Sequence, residues 1–341
     1  MNGSLNHLPP LPPPPLPLLI TGLAGVAGFN AHHYFHSRYP GQVIGIRQER
    51  NWPLQGPGIV ACDTEDRPGL QRLFERYQFR SVLNCAGNCA LKSCELDPRM
   101  AWRINVVSIR NLLEAMHASS ARLVHLSIDL VYSGRGAGNY REHHTSDPVT
   151  VYGSTMVAGE QLVLLGRPEA AVLRISLPMG VSYSGHAGAI DWIQSRFRQY
   201  KPATLYFDEV RTPTYTDCLN RLFQVMLANH LAGLYHAGGP RALSLFQIAQ
   251  IVNRVGGYDP RHLLGCLRHE AGPLPPRAGD VSMDSSKLAC AIGFTPFDPW
   301  PLTDDWVPTH PEWHWERHQG PRGSHELLTE ILYRNPRHTM S

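Results

Sequence analysis

Lysine is nearly missing from this sequence. Only Lys92, Lys201 and Lys287 occur among 341 residues, against 28 arginines, so chemistry that needs a compact, titratable ammonium group has few residues to draw on. Long apolar runs are missing too: no window reaches the roughly 18 unbroken apolar residues of a membrane span. The apolar start, LNHLPPLPPPPLPLLITGLAGVAG, has no Lys or Arg before Arg38 and is cut by prolines, which excludes the basic head and continuous apolar centre of a secretory signal. Charge of one sign is scarce, since the net charge is only +3; that argues against the basic stripe of a nucleic-acid-binding protein. Seven cysteines, an odd count in a long chain, argue for reduced thiols and a cytoplasmic setting rather than a disulfide framework. Cys85, Cys89 and Cys94 fall close together, but their spacing matches no common zinc pattern and reads as packing thiols. His310, His314 and His318 recur every four residues, which would align them on a helix; Pro311 and the nearby tryptophans favour an irregular packed tail instead, and no metal is expected.

What is present is the composition of a globular chain, 43% hydrophobic and 17% charged, with enough length to bury a large core. Strand-like segments at 16–21, 42–47, 58–63, 80–87, within 121–134 and at 170–176 alternate with segments of helical spacing. Leu70, Leu73 and Phe74 fall on one face of such a helix. Asp97 and Pro98 form an N-cap and first-turn pair opening a long helix, and a further helix starts near Val151. Ser244 and Gln247 form a capping box, and Gly256–Gly257 ends the helix it opens. Alternation of this kind predicts an α/β fold: a doubly wound parallel Rossmann sheet with a smaller C-terminal α/β substrate lobe. The expected organisation is a disordered proline-rich leader over 1–15, a nucleotide-binding domain over 16–178 whose sheet is completed by part of 203–240, a lobe occupying mainly 179–310, and a tail over 311–341.

TGLAGVAG sets Gly22, Gly25 and Gly28 between the first strand and the first helix. Glycines there let the backbone turn tightly and approach a pyrophosphate, which the helix N-terminus then receives. The second strand ends in GIRQER, with Arg47 where an acid would bind the ribose of NAD; an arginine suits the 2′-phosphate of NADP, so NADP is favoured over NAD. Asp63, ending the third strand, is placed either to bond an adenine amino group or to act as an ordinary cap.

Together with NCAG (Asn84, Ala86, Gly87), RINV (Asn105), SIDLVYSG and YREHHTSDPVTVYGSTMVAGE, these motifs resemble the extended short-chain dehydrogenase/reductases, and within them the dTDP-4-dehydrorhamnose reductase family. Tyr140, Glu142, Pro148, Tyr152, Gly153, Thr155, Gly159 and Glu160 all fall on the family pattern, and VRTPTYT resembles its later R-x-P-T segment. The resemblance covers roughly residues 17 to 300. It implies an NAD(P)-binding fold and a lobe suited to a nucleotide-linked sugar. It also exposes two departures at the chemistry. The family's catalytic Thr falls on Ile128 and its Lys on Met156, leaving Tyr152 alone; a register shift of one would place Ser127 at the hydroxyl position.

Lys92, beyond the fourth strand, is a candidate rescuer, as are His143 and His144 before Tyr152; the plainer reading of each is a solvated loop residue. Arg211 and Arg277 are candidates for a substrate diphosphate or for ion pairs. The resulting expectation is an NAD(P)H-dependent reductase of a keto group on a nucleotide-activated sugar with a weakened or rearranged proton donor. The alternative is a non-catalytic NADP-binding subunit in the manner of the methionine adenosyltransferase β subunit. A homodimer or a protein partner stays open.

Overall fold

In a computed structural model, residues 11–185, 188–273, 275–316 and 323–334 are described. Six strands come first: β1 (Leu18–Ile20), β2 (Val43–Arg47), β3 (Ile59–Ala61), β4 (Ser81–Asn84), β5 (Arg122–Ile128) and β6 (Ala171–Ile175). Five more follow as β7 (Pro178–Met179), β8 (Ala203–Tyr206), β9 (Val210–Arg211), β10 (Thr214–Tyr215) and β11 (Gly233–Ala237), then β12 (Leu243–Ser244) and β13 (Leu263–Cys266). A seven-stranded parallel sheet runs β11-β6-β5-β4-β1-β2-β3. Its order reverses between β1 and β4, where β1 pairs with both β2 and β4, and a doubly wound sheet opens a crevice at that point. The remaining strands form two-stranded ribbons, β7 with β10, β9 with β12 and β8 with β13.

Helices α1 (Val26–Arg38), α2 (Arg67–Tyr77), α3 (Leu91–Leu96), α4 (Pro98–Trp102), α5 (Ser108–Ala115), α6 (Val151–Gly166), α7 (Ala189–Arg198), α8 (Thr216–Ala228) and α9 (Leu245–Val255) connect them. Alternate strand residues serve the two faces. Leu18, Ile20, Leu83, Val124 and Leu173 pack with Phe35 of α1 and Leu222 and Phe223 of α8. Leu19, Val82, Leu123 and Val172 pack with Leu70, Leu73 and Phe74 of α2 and Ile109 and Leu112 of α5.

Asp97 caps α4 by accepting from the Met100 N–H at 2.9 Å. The single helix expected from there is instead interrupted by a π-turn at Arg103–Val107. The wide turn carries Asn105, whose amide bonds two other segments, and such turns recur where a side chain is needed at a site. The proline tract also differs from expectation. Residues 1–10 lie outside the described residues, but 11–15 are held: Gln224 Nε2 on α8 donates to the Leu11 and Pro12 carbonyls at 3.1 and 2.9 Å, and Ser81 Oγ donates to the Pro15 carbonyl. Proline lacks a donor but keeps its acceptor, so a proline segment can dock through carbonyls alone. At the other end, Trp313 is buried beneath the Arg254 guanidinium and Trp300 Nε1 donates to the Leu332 carbonyl. His310 lies 3.2 Å from Glu316 and His314 is buried beside Gln250, while His318 lies outside the described residues. Among the described residues no group of three or more His, Cys, Asp or Glu is placed to hold a metal, and no helix is long and apolar enough to cross a membrane.

His32, His125 and His236 are buried, and burial holds each imidazole down at a pKa of about 4. The unfolded chain takes up those protons near pH 6.5, so the stabilisation is complete above that value and is lost as pH falls toward 4. Each contributes up to ~1.4 kcal/mol per pH unit in that window. Urea titrations at pH 7.5 and pH 5 are expected to give a clearly lower midpoint at pH 5; equal midpoints would mean that the three rings are protonated in the fold.

Candidate functional site

The turn after β1 is shaped by glycine for two different reasons. Gly22 has φ +71°, and a Cβ there would lie 2.3 Å from the Cys85 carbonyl oxygen; a Cβ on Gly28 would lie 2.4 Å from the Gly22 oxygen. Both are required by the fold itself. Gly25, the N-cap of α1, is not: its Cβ would meet only the Gly22 oxygen, at an ordinary 3.5 Å. Its bare backbone faces a cavity, and α1 begins there with no side-chain cap. Thr21, which the sequence reading passed over, locks the turn to β4. Its Oγ1 donates to Asn84 Oδ1 at 2.6 Å and accepts from the Cys85 and Ala86 N–H groups at 3.1 Å. Asn84 Nδ2 in turn donates to His125 Nδ1 at 2.9 Å, which fixes the imidazole as an acceptor on that nitrogen.

The cavity encloses about 720 Å³ at the carboxyl ends of β1, β4 and β5 and extends into the lobe. Gly25, Gly28, Ala86 and Gly87 form one wall, Ile128, Tyr152 and Met156 the next, and Glu209, Arg211 and Arg277 the lobe side. Asn105 supports it from behind: Oδ1 accepts from Asn88 N at 2.7 Å and Nδ2 donates to Thr155 Oγ1 at 2.9 Å. Thr155 Oγ1 donates to the Tyr152 carbonyl at 2.8 Å. Thr150 caps α6 by accepting from Gly153 N, which sets the start of the helix that carries Tyr152 and Met156 four residues apart, on one face.

Tyr152 and Met156 pack in one apolar cluster with Leu130, Tyr132 and Val281, and Ile128 is partly buried against it. Ile128 thus packs against the cluster that holds Tyr152. Ser127 is fully buried on the cavity wall opposite Arg174, its Oγ without a hydrogen-bond partner. Burial raises the Tyr152 pKa well above 10, with Cys89 and Asp129 adding to it and Arg211 opposing. Arg211 is itself committed: Nε donates to Asp129 Oδ2 at 2.6 Å, Nη2 bonds Asp129 Oδ1, and Ser176 Oγ donates to Asp129 Oδ2. Arg277 lies with its guanidinium 4.6 Å from the Tyr206 ring centre. Burial also raises the Cys85 thiol beside the cavity, so it stays protonated.

Other candidates lie off this wall. Lys92 is exposed on α3. His143 and His144 are exposed, and His144 Nδ1 accepts from Arg141 N at 3.0 Å. Glu142 accepts from the His236 N–H at 2.8 Å and so fastens its loop to β11. At the far edge, Arg47 Nη1 donates to the Gln48 and Glu49 carbonyls at 3.0 and 3.1 Å, and Asp63 Oδ1 accepts from Glu49 N at 3.1 Å. Asp129 and Glu209 were missed from sequence; Asp129 sits inside SIDLVYSG, and the signal for Glu209 was an acid-rich segment, FDEVRT, next to a strand return.

Sheet order, glycine turn and crevice define a Rossmann-type α/β protein with an appended lobe. Residues 17–302 match the RmlD substrate binding domain, and the chain belongs to that family. It is 29% identical over 244 residues to a dTDP-4-dehydrorhamnose reductase of Mycolicibacterium smegmatis, covering 70% of this chain and 72% of that one. It is also 26% identical to methionine adenosyltransferase 2 subunit beta of Xenopus laevis, over 71% of this chain and 75% of that one. Among solved structures, dTDP-4-dehydrorhamnose reductase of Bacillus anthracis, in complex with NADP, superposes with a TM-score of 0.73 at 20% identity, covering 83% of this chain and 95% of that one.

Proposed function

We propose that this chain is an NADPH-dependent reductase of a keto group on a nucleotide-activated sugar. The observation that carries the reading is a single cavity lined by both the glycine turn and Tyr152. The site fits a dinucleotide: Gly25 is bare where packing would tolerate a side chain, and α1 offers uncapped N–H groups there. In this reading Gly22, Gly25 and Gly28 receive the diphosphate, Arg47 the 2′-phosphate and Asp63 the adenine amino group. Asn84, Ala86 and Gly87 line the path of the cofactor, and Asn105 holds their loop. The bound cofactor supplies hydride to the substrate carbonyl. Tyr152 supplies the proton; its raised pKa keeps the phenol protonated at neutral pH but makes it a reluctant donor.

The apolar replacements Ile128 and Met156 favour a second reading, a non-catalytic NADP-binding subunit that presents its shape to a partner protein. Loss of absorbance at 340 nm with NADPH and 4-keto nucleotide sugars separates the two. Slow but Tyr152-dependent consumption supports the reductase; complete silence at high protein concentration leaves the binding subunit.

Two glycine variants test the cofactor. Gly25→Ala is expected to fold with an unchanged melting temperature yet bind NADP at least ~10-fold more weakly, since its methyl group enters the diphosphate path. Gly28→Ala is expected to lower the melting temperature, because its Cβ would collide with the Gly22 oxygen. NADP affinity untouched by Gly25→Ala counts against binding at this turn.

A further inference from the structure

Among the described residues, Glu209 is the only carboxylate on the cavity wall, set among Arg196, Arg211 and Arg277. It is 2% exposed and precedes β9. Its main chain is fixed, since Leu245 N donates to the Glu209 carbonyl at 2.9 Å. Its side chain is not correspondingly satisfied. Oε1 lies 3.7 Å from Arg211 Nη1 and Oε2 lies 3.7 Å from Arg277 Nη1, ion-pair distances beyond hydrogen-bond reach. Oε2 is buried with no hydrogen-bond partner. The arginines have other engagements: Arg211 forks onto Asp129, Arg277 lies over Tyr206, and Arg196 bonds the Pro202 carbonyl. A carboxylate that served only to hold these cations would be bonded to them. An acceptor left without a donor inside a cavity is instead completed by whatever enters it.

We propose that Glu209 is the specificity-determining acceptor of the lobe side of the cavity: its unpartnered oxygen takes a hydrogen bond from a donor on the nucleotide sugar, a sugar hydroxyl or a nucleotide O–H or N–H, and its charge rejects nucleotide sugars that carry a carboxylate. The inference rests on the substrate reading above and deepens it. Rejection follows because a second carboxylate placed beside Glu209 meets a like charge at short range and competes with it for the same arginines, Arg211 and Arg277. Selection follows because a ligand lacking the donor leaves the buried oxygen unpaired, a defect that discriminates more strongly than a missing methylene.

The experiment is calorimetric titration of the full chain, saturated with NADP, by UDP-glucose, UDP-glucuronate and UDP, for wild type and Glu209→Gln. Wild type is expected to bind UDP-glucose at least ~30-fold more tightly than UDP-glucuronate. In Glu209→Gln that ratio is expected to fall below ~3, with UDP-glucose bound ~10-fold more weakly and NADP affinity unchanged. A parallel loss of UDP affinity places the donor on the nucleotide; an unchanged UDP affinity places it on the hexose. Both results support the inference. Wild-type affinities for UDP-glucose and UDP-glucuronate in Glu209→Gln, with NADP still bound, overturn it. A wild-type chain that binds NADP but none of the three nucleotides removes the substrate reading itself, and this inference with it.

Discussion

Met156→Lys combined with Ile128→Thr is expected to raise reductase turnover by ~10²-fold or more. Position 156 lies one helical turn beyond Tyr152 and in the same buried cluster, so an ammonium group there faces the phenol. Arg211 opposes the burial of that phenol, but its charge is largely answered by Asp129. A second, uncommitted cation would lower the Tyr152 pKa from well above 10, and a better-matched acid recovers part of the ~10²–10⁴-fold that proton donation can contribute. Threonine at 128 adds a hydroxyl that donates to the developing alkoxide, an effect of ~10²-fold at comparable sites. The pH profile supplies the sign. Reduction needs the protonated phenol, so the double variant is expected to gain a falling limb at alkaline pH, at a lower pH than any such limb in wild type. A folded double variant with no gain, and no new limb, would mean that Tyr152 is not the proton donor.

Glu160→Ala is expected to destabilise the fold by about 3–5 kcal/mol, read as a lower urea midpoint. Arg174 on β6 donates through Nε to Glu160 Oε1 at 2.8 Å and through Nη2 to Oε2 at 2.6 Å, with side chains only 5% and 4% exposed. The same guanidinium donates to the Tyr132 hydroxyl at 2.6 Å and to Ser146 Oγ at 2.9 Å, so it joins α6, β6 and the segment between β5 and α6. Removing the carboxylate leaves a buried cation with neutral partners. Adding Arg174→Met to Glu160→Ala is expected to restore much of the loss, because the charge that lacked a partner is then gone. If Glu160→Ala alone is neutral, water reaches this pair and the network carries little of the stability.

The parallel sheet was legible because its strands are strongly apolar and are separated by segments of helical spacing, one of them opened by a clear cap at Asp97. The glycine turn and Tyr152 were legible because each occupies a position where few residue types can serve. Less was legible where a residue's role is set by partners distant in sequence. Asp129 meets Arg211 from 82 positions away, and Glu209 stands out only because its oxygen lacks a hydrogen-bond partner. The division of the long helix by a π-turn was equally hidden, since RINVV has no residue that breaks helices. The docking of residues 11–15 was hidden because carbonyl acceptance leaves no mark on side-chain pattern.

Asn105 has a mechanical consequence. One amide grips the loop at Asn88 on one side and Thr155 on the other, and Thr155 grips the Tyr152 carbonyl. Cys89 and Leu91, just beyond that loop, border the cavity. Three hydrogen bonds thus connect the loop next to the cavity's edge to the backbone that carries the phenol. The backbone position of the tyrosine is therefore set in part by the same loop that leads into the cavity's rim.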